Sequence, residues 1–156
     1  MDLLYYSNIS ANLPECSLRG VILIKAFLRH VQLSGANLHN AHLIEADLIH
    51  ADLSNAYLGE AWLQDAVLLA ANLNKANLNR VHSGGALLVK ADLAKADLYD
   101  ADLRYADLRR ADLSGANLVG VDLSGANLSN ATVTEGQLEA AKSLESATMP
   151  DGKIRD

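Results

Sequence analysis

One cysteine, one tryptophan, one phenylalanine and two prolines are all that this chain of 156 residues contains of those four types. A single thiol, Cys16, cannot close an internal disulfide, so no cystine framework holds the fold. Aromatic residues make up 4% while apolar residues reach 50%, so the interior is built from alanine and leucine. Positive charge is in deficit: 13 Lys and Arg face 19 Asp and Glu, for a net charge of −6. That balance argues against direct nucleic-acid binding, which needs a basic footprint. It leaves room for an acidic surface that binds a basic groove. No apolar run reaches the roughly 20 residues of a membrane span, and Met1–Ser10 lacks the basic start of a secretory signal. A cytoplasmic protein without membrane contact is therefore expected. The chain also lacks a nucleophile–base pairing, a phosphate-cradling glycine loop and a carboxylate pair in a cleft. No catalytic residue, cofactor or metal site is expected.

What the chain does have is a period of five. From Ala86 it runs ALLVK ADLAK ADLYD ADLRY ADLRR ADLSG ANLVG VDLSG ANL. Taking the leucine as the centre, centres fall from Leu13 to Val133 without insertion or deletion, and 23 of the 25 are Leu. Ser83 and Val133 are the exceptions. The residue two before the centre is Ala in 20 of 25 cases, and Asp or Asn lies between the two in 14. Repeats of this kind outrank local propensity.

The spacing excludes the ordinary elements. At about 100° per residue, five residues advance a helix by about 140° net, so the leucines would scatter round the cylinder. A flat strand fails because side chains five apart point to opposite faces. A chain that turns after each five succeeds. Ala and Leu, two apart, both point inward along a short extended piece, and the next residues turn a corner. With corners near 90°, four fives close a square coil of twenty residues. Residue n then lies under residue n+20 at roughly 4.8 Å, the spacing of paired strands. Small Ala and large Leu together fill the narrow shaft, and Cys16 takes an inward alanine position.

This A(D/N)LXX pattern, covering residues 11–133, resembles the pentapeptide repeat family. The resemblance implies an all-β solenoid: a right-handed quadrilateral β-helix of about six coils, a rod of roughly 29 Å at strand spacing. The repeat domain is expected over 1–133, with 1–10 as an irregular first coil in which Tyr5 and Tyr6 help cover the open end. A capping helix and tail are expected over 134–156. Thr134 and Gln137 form a T-x-x-Q capping box ahead of Leu138, Ala141 and Leu144, which predicts a helix from about 135 to 146. Pro150-Asp151-Gly152 signals a turn. Val81-His82-Ser83-Gly84-Gly85 breaks the composition but keeps the count, and reads as a locally altered corner. The Asp and Asn before each centre read as turn chemistry, bonding the backbone of the corner.

The twenty-residue rule converts sequence into surface columns. One runs Ile22, His42, Trp62, His82, Asp102, Asp122; the next runs Phe27, Asp47, Val67, Leu87, Asp107, Asn127. Corner columns carry Ile24 and Ile44, and Arg29, Ile49, Leu69, Val89 and Arg109. Ile24, Ile44, Ile49, Trp62, Val67, Leu69, Leu87 and Val89 therefore share one apolar flank, the predicted contact surface for a protein partner or a second copy. His30 and His50 fall in adjacent coils, but two ligands without a third are read as surface histidines.

The function expected is a non-catalytic interaction scaffold with a regulatory role, a role seen in family members that act in cyanobacterial cell differentiation. The Leu-centred pattern and the PDG tail are similar to cyanobacterial members. The alternative is a DNA mimic, since some family members bind DNA gyrase and protect it from quinolones. This sequence departs from those members. It lacks frequent Phe centres and an inserted loop, and Lys75, Arg80, Lys90, Lys95, Arg104, Arg109 and Arg110 interrupt the negative track that phosphate mimicry needs.

Overall fold

The computed structural model describes residues 12–155. Throughout the repeats each five residues make one straight step and one corner. At the corner the N–H of the alanine position donates to the carbonyl of the preceding centre, as in Ala41 to Leu38 at 2.9 Å. The residue just before that alanine has a positive φ, the pattern of a type II turn. Glycine fills this position at Gly115, Gly120 and Gly125, but most corners hold other residues there, such as Lys25 (φ 57°), Ala70 (φ 51°) and Tyr105 (φ 60°). Left-handed backbone costs an L-residue roughly 1–2 kcal/mol, so each corner needs support.

Where Asp or Asn precedes the centre, its side chain supplies that support. Its Oδ1 accepts the backbone N–H two residues on: Asn37 from His39 at 3.1 Å, Asp52 from Ser54 at 3.0 Å, Asp92 from Ala94 at 2.9 Å and Asn127 from Ser129 at 3.0 Å. The short carboxylate or amide thus pins the first turn residue from the outside. This is the turn chemistry expected of these residues.

Between corners the chain pairs in parallel with the course twenty residues away. Bridges run without slippage from Asn12↔Gln32 to Asp112↔Thr132. Tyr57 shows both halves of the pattern: its carbonyl accepts from Leu38 N–H at 2.8 Å and its N–H donates to Ala36 O at 2.9 Å. Corners crowd the straight steps so closely that each bridge is one residue long, and the sheet is a stack of single rungs rather than long strands. Four five-residue steps separate each residue from the one stacked on it.

The interior follows the repeat. From Leu28 to Leu128 every centre is buried, and Ser83, 3% exposed, is the one buried polar residue among those described. Each fully buried leucine contributes about 1.5–3 kcal/mol of transfer free energy. The first courses are less closed: Leu13 is 43% exposed, and Cys16, Leu18, Val21 and Leu23 are only half-buried. Cys16 is a free thiol and, despite its inward position, is only half-buried. The cover expected from residues 1–10, Tyr5 and Tyr6 included, lies outside the described residues.

The Val81–Gly85 corner is not altered. His82 bridges both Trp62 and Asp102, and Ala86 N–H donates to Ser83 O at 3.0 Å like any other corner. Gly85 has φ 72°, and a Cβ there would strike the Asp65 carboxylate, so glycine answers both conformation and crowding.

The C-terminal end corrects one expectation. Helix α1, Glu135–Glu139, is five residues long rather than reaching 146. Its capping box is present: Thr134 Oγ1 accepts Gln137 N–H at 3.3 Å and Gln137 Oε1 accepts Thr134 N–H at 3.0 Å. Gln137 also donates from Nε2 to Leu113 O at 2.7 Å and Ala116 O at 2.9 Å, pinning the helix to the last regular course, and Leu138 is buried. The helix then stops because the chain finds a better partner. Lys142 N–H donates to Val121 O at 2.8 Å, and Asp122↔Ser143 and Asn127↔Thr148 extend the ladder with one extra residue in the count. The helical spacing of Leu138, Ala141 and Leu144 is overridden by tertiary pairing, which usually decides short helices. Beyond Pro150 the chain turns, and Ile154 pairs antiparallel with Thr148.

Candidate interaction surface

Two adjoining walls carry the residues singled out in the sequence, and the ladder places them as the twenty-residue rule requires. Ile22, His42, Trp62, His82, Asp102 and Asp122 are bridged in series on the first wall. Phe27, Asp47, Val67, Leu87, Asp107 and Asn127 are bridged in series on the second. At the corner between them Lys25 N–H donates to Ile44 O, which sets Ile24 and Ile44 one course apart. At the far corner His30, His50 and Ala70 N–H groups donate to the carbonyls of Ile49, Leu69 and Val89. These bridges and hydrogen bonds set the eight residues in neighbouring columns.

Their exposure is uneven. Ile24, Trp62 and Leu87 stand out into solvent, whereas Ile44, Ile49, Val67, Leu69 and Val89 are half-buried and form the flat ground between them. Two larger contributors were missed. Ile22 is 73% exposed and Phe27 52%, both at the N-terminal end of the same walls. Their signal was already in the columns, since each begins one. The flank is not uniformly apolar. Asp47 interrupts the second wall and is held by Arg29 Nε at 2.5 Å. Trp62 lies between two imidazoles, with ring centroids 6.1 Å from His42 and 4.5 Å from His82.

Toward the C-terminal end both walls become ionic. Arg104 clamps Asp102 through Nε at 2.8 Å and Nη2 at 2.7 Å, and Arg109 clamps Asp107 with the same two distances. The hydrogen bond from Arg104, more than its charge, holds the Asp102 carboxyl below the usual carboxylate range, and Arg109 does the same for Asp107. The two guanidiniums are pushed up in turn by these carboxylates. Such bidentate pairs leave the four groups facing each other rather than a ligand.

Among the described residues no three His, Cys, Asp or Glu side chains gather as a metal-holding group, and no helix is long and apolar enough to cross a membrane. The two hollows that stand out, of about 380 and 490 Å³, lie beside α1 and are lined by residues including Leu138, Glu145, Met149 and Arg155. Neither touches the flank.

Comparison with known proteins agrees with the repeat. A family model for pentapeptide repeats matches in 8 copies, in overlapping stretches from residue 9 to residue 142. The chain is 31% identical to HetL, a pentapeptide repeat protein involved in heterocyst differentiation regulation in the cyanobacterium Nostoc sp. strain PCC 7120, over 95% of this chain and 93% of that one (TM-score 0.36). It is 27% identical to Rfr23 from the cyanobacterium Cyanothece 51142, over 82% and 88% (TM-score 0.39). QnrB1, a plasmid-mediated fluoroquinolone resistance protein, is 16% identical over 90% and 80% (TM-score 0.47). No curated protein matches the chain.

Proposed function

The chain belongs to the pentapeptide repeat family, and from that premise we propose that it is a non-catalytic, regulatory protein-interaction scaffold acting in the cytoplasm. Its frame is a right-handed, four-sided coil of about six turns. The contact surface is the flank of Ile24, Ile44, Ile49, Trp62, Val67, Leu69, Leu87 and Val89, widened by Ile22 and Phe27. One observation carries this reading. Ile22, Ile24, Phe27, Trp62 and Leu87 stand exposed on two adjoining walls, while the inward positions from Leu28 to Leu128 are filled by buried Ala, Leu and Val, with Ser83 the one buried polar residue among those described. Exposed apolar area that the fold does not need is characteristic of a contact surface.

The test separates contact from folding. Ile24→Asp combined with Leu87→Asp alters two exposed side chains, so circular dichroism and the unfolding midpoint stay near wild type. Capture of a partner from the source cell, or self-association in sedimentation, is then lost. Unchanged capture and unchanged sedimentation would mean that the flank is merely wall.

The DNA-mimic reading is weaker here. Its carboxylates would have to present a continuous track, and Asp102 and Asp107 are instead occupied by Arg104 and Arg109. A gyrase supercoiling assay discriminates: inhibition, or protection from a quinolone, would favour mimicry over the scaffold.

A further inference from the structure

The Val81–Gly85 corner has a regular backbone, and its difference lies in what stands outside it. In the corner column Ile24, Ile44, Gln64, Gly84, Arg104, only Gly84 lacks a side chain, and its neighbour Gly85 lacks one too. A Cβ on Gly84 would find only ordinary contacts, Arg104 O at 3.6 Å and Asp102 Oδ1 at 4.0 Å, so the space outside it is open. The corner is therefore recessed by one course. Trp62 and Leu87, both exposed, stand on the two walls that meet there.

Asp65 leans into this recess. Its N–H donates to Gly84 O at 3.1 Å, and its carboxylate lies over Gly85. In the regular courses the other acids of these two walls and their shared corner are engaged: Glu45 by Lys25, Asp47 by Arg29, Asp102 by Arg104, Asp107 by Arg109 and Asp122 by Lys142. Among the described residues Asp65 has no such cation. Gln64, beside it, has its Oε1 buried without a hydrogen-bond donor. An orphaned acceptor is costly, so turning it toward an incoming N–H is favourable. The same lean occurs at Asp100, whose carboxylate lies over Gly120, but there Val119 fills the neighbouring corner position that Gly84 leaves empty.

We infer that the recess at Gly84 and Gly85 receives a lysine side chain of the partner that docks on the flank. The ammonium donates to the Asp65 carboxylate and to Gln64 Oε1. The methylene stem lies between Trp62 and Leu87, and Trp62 meets it with its edge, since imidazoles stack on both sides of that ring. An ammonium is a compact charge with three donors on a slim stem, which suits an opening one course high beside acceptors. The net charge of −6 draws a basic partner toward the chain. Arg104, the cation one course beyond, is held by Asp102, which offsets its repulsion. This inference rests on the scaffold reading and names the chemistry of the partner.

The probe is the peptide acetyl-Ser-Ile-Lys-Leu-Ser-amide, set against the same peptide with norleucine in place of lysine. Binding to the full chain is read from the fluorescence of Trp62, the single tryptophan. The lysine peptide is expected to bind about fivefold tighter than its norleucine counterpart, with an advantage that shrinks in salt. Asp65→Asn removes the charge and keeps the corner, because asparagine tolerates left-handed backbone; the advantage should vanish. Gly84→Leu fills the recess and should weaken binding of the lysine peptide with an unchanged circular dichroism spectrum. Asp100→Asn is the control and should bind as wild type does. Equal affinity for the two peptides, or a lysine advantage that survives Asp65→Asn, would overturn the lysine recess and leave the flank standing as a contact surface. Failure of both peptides to bind would count against the flank and the recess together.

Discussion

The two walls that begin at Ile22 and Phe27 change character halfway along the rod. Through Leu87 they expose isoleucine, phenylalanine, tryptophan and leucine, and from Asp102 and Asp107 onward they expose carboxylates clamped by arginines. Beneath both regions the interior is identical: Leu63 and Leu103, forty residues apart in one column, are each 1% exposed. The outward residues are therefore free of the fold. An extended wall accepts Trp62 and Asp102 on equal terms because each presents the same backbone rung to its neighbours. Stability is carried by the inward positions, so the outward change of character is left to recognition.

The sharpest way to break this comparison is to cut the same inward atom under both regions. Leu63→Ala and Leu103→Ala should each cost about 2–5 kcal/mol, the range for a buried leucine that leaves a cavity, and urea unfolding should find the two losses similar. A large disparity would show that the outer walls do contribute to folding. A smaller effect of opposite sign is expected between them. Ser83 takes the place of a leucine in that same column, with Leu63 and Leu103 on either side. Ser83→Leu should stabilise the fold by roughly 1–2 kcal/mol through added apolar burial. A destabilised variant would mean that the column has closed around serine.

The smallest effect concerns the ionic region alone. The Asp102 and Asp107 carboxyls are held down by hydrogen bonds from Arg104 and Arg109. A depressed carboxyl contributes stability above its unfolded value, near pH 4, and loses it as pH falls through its folded value. Unfolding midpoints should therefore drop as the pH is taken below about 4, and less so in Asp102→Asn with Asp107→Asn. The change should be modest and should shrink in salt, since both guanidiniums stand in solvent. An equal acid drop in the double variant would place the acid sensitivity elsewhere in the molecule.

Much of this surface could be read before any coordinates, because a strict count of five makes neighbours predictable at a distance of twenty. The adjacency of the columns that carry Ile24 to Val89 is legible in that way. Ile22 and Phe27 were in the same columns and were passed over, since a column gives adjacency but not exposure. Exposure is set by the tertiary surroundings of each side chain, which leave Ile22 73% and Phe27 52% exposed. The tail was misjudged for another reason. Thr134 and Gln137 do start a helix, but local spacing cannot show that Lys142 and Ser143 have open backbone partners at Val121 and Asp122.

The sequence by itself determined the inward ladder and its register, because only a turning chain can bury Ala and Leu at a period of five, and Asp or Asn beside them supplies the corner's hydrogen bond. Only the tertiary structure decided which outward side chains stand clear, that α1 yields to the ladder after Glu139, and that His30 and His50 face each other ring to ring. Those outcomes depend on how successive courses lie on one another, and that contact between distant parts of the chain is what local spacing leaves undefined.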